Sequence, residues 1–151
     1  MKKILHKTMS ACIRPFYGSG LGNYFPFKQL NHFHQKLGKK LHFGEQNEVK
    51  MQTKEGFLMY LHEGKTIDDT IMNLGFWEPD ISKLIRKNLR KWDVFLDIGA
   101  NIGYFSLLAS SIVGNEGEVL AFEPSSKNFA ELQKNIALNN FSNISAIRHA
   151  V

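Results

Sequence analysis

The run VFLDIGANIG, residues 94–103, sets Asp97 at the end of an apolar strand and follows it at once with a turn holding Gly99, Asn101 and Gly103. That arrangement suits a nucleotide-like ligand. Strand ends open a crevice in an α/β sheet, and glycine lets a ligand come close to the backbone. One helix and one strand later, Glu123 closes the segment VLAFEP. A carboxylate there is placed to accept hydrogen bonds from both hydroxyls of a ribose.

The details of the turn decide between ligands. The dinucleotide fingerprint G-x-G-x-x-G finds its first glycine in Gly99 but meets Asn101 and Tyr104 at the other two places. A tyrosine at the third defeats the close helix–strand packing that glycine serves there. A phosphate loop is excluded because no Gly-Lys-Ser/Thr closes the turn. A negative Asp97 disfavours a pyrophosphate and favours a ligand bearing positive charge. S-adenosylmethionine fits, with its ribose, adenine, ammonium and sulfonium and no phosphate. Plainer roles stand beside these: Asp97 as a turn cap, the glycines as strand terminators, Asn101 as the helix N-cap.

These residues need elements to hold them. Val94–Ile98, Glu118–Phe122 and Asn143–Ala150 read as strands, separated by helices over Ile102–Val113 and from the Ser125 cap to about Asn139. The first of those helices has an apolar stripe of Ile102, Phe105, Leu108, Ala109 and Ile112. Alternating strand and helix predicts parallel pairing in an α/β, Rossmann-like sheet. Upstream, Val49–Thr53 and Phe57–Leu61 flank Lys54-Glu55-Gly56 as a hairpin. Thr66 or Asp68 is expected to cap a helix closed by Gly75, and a second helix follows Pro79 with Ile81, Leu84, Ile85 and Leu89 on one face. With three core strands before Val151, the free edge of Val94–Ile98 is expected to be bare and apolar. The simplest expectation is a front part of a longer protein, truncated after the third core strand; cover by the hairpin or by another chain are the alternatives.

The segments VFLDIGANIGYFSLLAS, VLAFEP and NIALNN, with GFWEPD upstream, resemble the FkbM family of S-adenosylmethionine-dependent methyltransferases over roughly Gly75 to Val151. The resemblance implies the class I methyltransferase Rossmann-like fold and O-methylation of a sugar or secondary-metabolite hydroxyl. It implies that Asp97, Gly99, Ala100, Asn101 and Gly103 line the methionine end of the cofactor and that Glu123 binds its ribose. Trp77 and Glu78 match the upstream motif and are expected to form a lid. His149-Ala150-Val151 falls at the strand end near the adenine. The acceptor is expected to be a small molecule, and no residue identifies itself as the base an oxygen acceptor needs.

Composition frames these readings. The 151 residues are 43% hydrophobic and 22% charged, as in a globular protein. No apolar run approaches the roughly 18 residues of a membrane span. Cys12 stands alone, so no intrachain disulfide forms, and with no signal-peptide core after MKKILHKTMSAC a cytoplasmic setting is expected. His32 and His34 lack a third partner of known placement, so no metal is expected. Up to Lys91 there are 16 Lys and Arg against 8 Asp and Glu, and from Trp92 only 3 against 6. The basic front, with the aromatic stretch Arg14–Phe43, keeps a nucleic-acid methyltransferase open as a second reading. A non-catalytic, cofactor-binding remnant is a third. The chain divides into an extension over 1–47, a hairpin and helices over 48–91, and the first half of the cofactor domain over 92–151. Nothing in it sets the oligomeric state.

Overall fold

The computed structural model describes residues 47–151. The stretch 14–43, with its two histidines, and Cys12 lie outside them. The described residues fall into two units, 47–49 with 61–76 and 50–60 with 77–151.

Strands β1 (Glu48–Gln52) and β2 (Leu58–His62) pair as a two-stranded sheet. The chain reverses between them through Thr53, whose N–H and hydroxyl both donate to the Phe57 carbonyl, at 2.9 and 3.1 Å. Met59 and Leu61 alternate with half-buried neighbours and are fully buried, the two-residue period of a half-buried strand. Helix α1 (Thr66–Leu74) ends as its sequence predicts, with Gly75 left-handed at φ 83°. Its start differs. Lys65 is the N-cap and no side chain caps it. Asp68 is buried and accepts the His62 N–H at 2.7 Å instead, so a strand end claims the carboxylate that was expected to cap.

Helix α2 (Pro79–Asn88) opens on the proline, where a missing N–H costs nothing. Its expected apolar face is only partly used. Ile85 and Leu89 are half-buried, while Ile81 and Leu84 are exposed. The residue that turns inward is Ser82, whose hydroxyl donates to the Trp77 carbonyl at 3.1 Å. Arg86 on this helix pairs with Glu55.

Strands β3 (Val94–Ile98), β4 (Glu118–Phe122) and β5 (Ile144–Ile147) form a parallel sheet in that order, with Asp97 opposite Ala121 and Ala121 opposite Ala146. Parallel neighbours need a crossover, and helices α3 (Tyr104–Val113) and α4 (Ser126–Leu138) supply it. The core lies along these elements. Ala109, Val113 and Val119 pack with Phe95 and Leu89, and Ala100, Ala121 and Leu132 pack with Phe129 and Ile136. Each fully buried Val or Leu among them contributes about 1.5–3 kcal/mol. β5 is shorter than its sequence suggests: the strand ends at Ile147, and the His149 N–H donates to the Ile147 carbonyl at 3.0 Å. Just before the strand, the Asn143 amide donates to the Gly114 carbonyl at 2.9 Å and accepts the Ser110 hydroxyl at 2.5 Å.

The face of β3 carrying Val94, Leu96 and Ile98 is exposed, at 57, 56 and 61%. The hairpin does not join this sheet, so its expected cover of the β3 edge is not observed, and among the described residues β4 is the one strand paired with β3.

Helix α3 is buried over more than the predicted stripe. Phe105 and Ile112 are half-buried, whereas Tyr104, Ser106, Leu107 and Ser110 are buried. The Tyr104 ring packs edge-on against Phe57, with centroids 5.2 Å apart, and against Phe105 at 5.5 Å. Burial pushes its phenol above the ordinary value of 10.0. The hydroxyl has the Trp77 and Ser82 groups nearby, yet closes no hydrogen bond. Tyr104→Phe keeps the ring contacts and removes an orphaned buried oxygen, so it is expected to raise stability by about 1 kcal/mol. Denaturant unfolding checks this, and a loss of stability would show that the hydroxyl is bonded.

Candidate functional site

The site is assembled where β3 and β4 end side by side. Beyond Ile98 the chain turns through Gly99 at φ 81°, and the N–H groups of Gly99 and Ala100 both donate to the Phe122 carbonyl at 2.9 Å. Asn101 follows at φ 51°, a conformation asparagine tolerates better than most residues. Its N–H donates to Glu123 Oε2 at 2.9 Å. Gly103, at φ 93°, closes the turn by donating to the Ala100 carbonyl at 2.8 Å. Two left-handed residues delay the helix, so α3 starts at Tyr104 rather than at Ile102. Gly103, not Asn101, is its N-cap, and no side chain caps it.

The two glycines that flank the turn serve different ends. A Cβ on Gly99 would meet nothing within 4 Å, so this glycine faces open space and, within the chain, is required by its backbone angle rather than by packing. A Cβ on Gly103 would stand 2.6 Å from Leu132 Cδ1 on α4. Gly103 therefore permits close packing of the turn on α4, a different contact from the helix–strand packing of the dinucleotide fingerprint.

Glu123 is buried, and both of its oxygens are used. Oε2 takes the Asn101 N–H, and Oε1 takes the Ser125 N–H at 2.9 Å and the Asn128 amide at 3.5 Å. Each carboxylate oxygen offers two lone pairs, so acceptor capacity remains for a ligand. Ser125 caps α4 as its sequence predicts, accepting the Asn128 N–H at 3.5 Å.

Asp97 is 8% exposed and accepts the Ser106 hydroxyl at 2.5 Å. Burial raises its carboxyl above the ordinary 3.8; the Ser106 bonds work the other way, and the Glu123 charge adds to the rise. Among the described residues no basic side chain pairs with Asp97 or Glu123. The strand ends thus concentrate negative charge that only hydrogen bonds offset. Because the folded state holds Asp97 above its unfolded pKa, its contribution to stability is full in acid and is lost as pH rises through the folded pKa. Asp97→Asn keeps an acceptor for Ser106 and removes the charge. It is expected to raise the melting temperature at pH 7 by a few degrees, with the gain fading as the pH falls toward about 4. Melts across that range test the sign, and a variant less stable than the parent at pH 7 would overturn it.

Asp97, Gly99, Ala100, Asn101, Gly103 and Glu123 are therefore brought together by backbone and side-chain bonds. Trp77 and Glu78 stand at the start of α2, Glu78 exposed and left-handed at φ 39°, and no hydrogen bond among the described residues joins them to the turn. His149-Ala150-Val151 follows β5 and is exposed. The sequence reading missed Ser106, Asn128 and Asn135, which hold Asp97, Glu123 and the turn. A hydroxyl one turn inside the helix after a strand-end acid is a signal for the first; the other two depend on how α4 docks.

The turn and both strand ends fall where a known family begins. Residues 97–150 match the methyltransferase FkbM domain. The match covers that segment alone, and over it the chain is similar to the family. No curated protein matches the chain. Among solved structures it is similar to M. jannaschii TYW2 in complex with AdoMet, at 22% identity and a TM-score of 0.52 over 70% of this chain and 44% of that one. It is similar to P. horikoshii TYW2 in complex with MeSAdo at 19% identity and a TM-score of 0.53, over 81% and 50%. It also resembles Trm5b from Pyrococcus abyssi at 19% identity and a TM-score of 0.52, over 70% and 29%. The chain spans half or less of the length of each. The described residues share the α/β fold of these structures. No helix among the described residues is long and apolar enough to cross a membrane.

Proposed function

We propose that this chain binds S-adenosylmethionine at the ends of β3 and β4 and takes part in transferring its methyl group to a hydroxyl of a small acceptor, a sugar or secondary metabolite. The observation that carries the reading is the pair of buried carboxylates, Asp97 and Glu123, with no basic partner among the described residues. Such a site attracts a cationic ligand and repels a phosphate.

The residues present fit the cofactor. Glu123 Oε2 keeps one lone pair for a ribose hydroxyl, Asp97 would meet the positive charge of the methionine end, and Gly99 opens onto space that a side chain would fill. When bound, the cofactor supplies a methyl group on a sulfonium, already a good leaving group. What the chain adds is alignment, since effective molarity from orientation alone is worth several kcal/mol. Glu123 does this through the Asn101 N–H, because one carboxylate holds the turn and is offered to the ribose. Trp77 and Glu78 would close over the bound cofactor, as the family resemblance implies. A sugar or metabolite hydroxyl as acceptor is what the resemblance to the FkbM family implies.

Titration of the full chain with S-adenosylmethionine is the test. A Kd on the order of 10 μM is expected, with NAD and ATP binding far more weakly. Equal or tighter binding of either phosphate-bearing ligand would overturn the proposal. Methyl transfer to a sugar hydroxyl that does not respond to salt supports the acceptor class; activity on RNA that falls steeply with salt would replace it with a nucleic acid.

A further inference from the structure

Asn135, on α4, is fully buried and joins two segments far apart in sequence. Its Oδ1 accepts the Tyr60 N–H of β2 at 2.7 Å, and its Nδ2 donates to the Ile102 carbonyl at 2.9 Å. One helical turn on, Asn139 Oδ1 accepts the Leu58 N–H and its Nδ2 donates to the Leu58 carbonyl, both at 2.8 Å. The same Nδ2 also donates to the Asn135 carbonyl at 2.7 Å. The two amides therefore occupy the edge of β2 as the peptide groups of a neighbouring strand would. Leu58 and Tyr60 are two apart, so their N–H groups point the same way, and i,i+4 spacing sets both asparagines on one helix face.

Only Asn135 goes further, to the turn. Ile102 lies between the two left-handed residues, Asn101 and Gly103, and is itself buried. Glu123 fixes the N–H of Asn101, Phe122 fixes those of Gly99 and Ala100, and Gly103 closes on Ala100. The Ile102 carbonyl is held from the opposite side by a residue that belongs to neither strand end. A buried carbonyl must find a donor, and a turn with two left-handed residues keeps its shape only when its surroundings over-determine it.

We propose that Asn135 is a positioning residue for the cofactor turn, holding the Ile102 carbonyl so that the Asn101 and Gly103 peptides keep the orientation the ligand meets. This rests on the cofactor reading above for its functional consequence, but not for its structural one. The primary amide is required because one group must accept from β2 and donate to the turn at once.

Hydrogen exchange on the full chain tests it, with S-adenosylmethionine titration as a second readout. Asn135→Asp is isosteric and keeps the acceptor for Tyr60, but at neutral pH it has no donor for Ile102. The Asn101 and Gly103 amides are expected to exchange about tenfold faster, and affinity for S-adenosylmethionine to fall by about the same factor, while amides within α3 and β4 stay protected. In acid the new carboxyl regains a proton to donate, so protection at the turn should recover relative to the parent. Asn139→Ser loses hairpin contacts of the same kind and should leave turn exchange and affinity within about twofold. Similar effects from the two variants would overturn the proposal, since Asn135 would then act only by docking β2. Unchanged turn exchange in Asn135→Asp overturns it as well. If the parent binds no S-adenosylmethionine, the cofactor reading fails while the exchange data still decide the role of Asn135.

Discussion

Glu123→Gln is expected to weaken S-adenosylmethionine binding by about a hundredfold and to cost stability as well, although it changes one atom. Both carboxylate oxygens face N–H donors, Asn101 on one side and Ser125 on the other. A glutamine has one oxygen to offer. Whichever way its amide lies, an NH₂ group must face a backbone N–H, leaving a buried donor without an acceptor. That loss is worth about 1–3 kcal/mol of folding stability. The effect on binding is separate, because the amide also loses the charge that strengthens bonds to ribose hydroxyls. Calorimetry reads the affinity and denaturant melts read the stability. A variant that binds normally would show that Glu123 is a structural clasp and no more, and the ribose role would fall.

Gly103→Ala is the second large effect, and it should appear in stability with no ligand present. Left-handed backbone costs alanine about 1–2 kcal/mol, and the added Cβ would overlap Leu132 Cδ1, for a further 1–3 kcal/mol. Gly99→Ala carries only the first cost, since its Cβ meets open space. Leu132 is fully buried, so Leu132→Ala alone should cost about 2–5 kcal/mol. In the double variant the alanine at 103 fills part of the space Leu132 leaves. The combined loss should therefore be smaller than the two single losses added, by about 1 kcal/mol or more. Additivity in that cycle would mean that the glycine is needed for its angle alone.

The alternation of strands and helices was plain from residue 94 onward because each element has a period that its neighbours do not share. Glu118–Phe122 matches the sequence expectation residue for residue, and α4 runs from the Ser125 cap to Asn139 as its sequence predicts. The departures have local causes. α3 begins late because Asn101 and Gly103 both take left-handed angles, which a helix propensity does not register. α2 presents Ile81 and Leu84 outward because Ser82, a weaker apolar signal, turns inward to bond the Trp77 carbonyl. Asp68 looks like a cap until the nearby His62 N–H claims its carboxylate.

The same division holds at the site. Asp97, Glu123 and the glycines are legible because strand ends and turns constrain residue type locally. Ser106 lies nine residues from Asp97, and Asn135 lies far from both of its partners, Tyr60 and Ile102. A pattern confined to one element cannot reveal such ties. They exist only once α3 and α4 are laid against the sheet.

The order of the parallel sheet also bears on how the chain acquires this site. Each strand pairs with the next one in sequence, β3 with β4 and β4 with β5, so no pairing waits for a distant partner. Each crossover then spans a single helix, which keeps the entropy of closing the loop low for a parallel pair. The β3–β4 pairing sets the Phe122 carbonyl against the Gly99 and Ala100 N–H groups, so the contact that joins the strands also brings the two acids to neighbouring ends. Their mutual repulsion is therefore borne by the sheet itself, while Ser125 and Asn135 hold Glu123 and the turn in place.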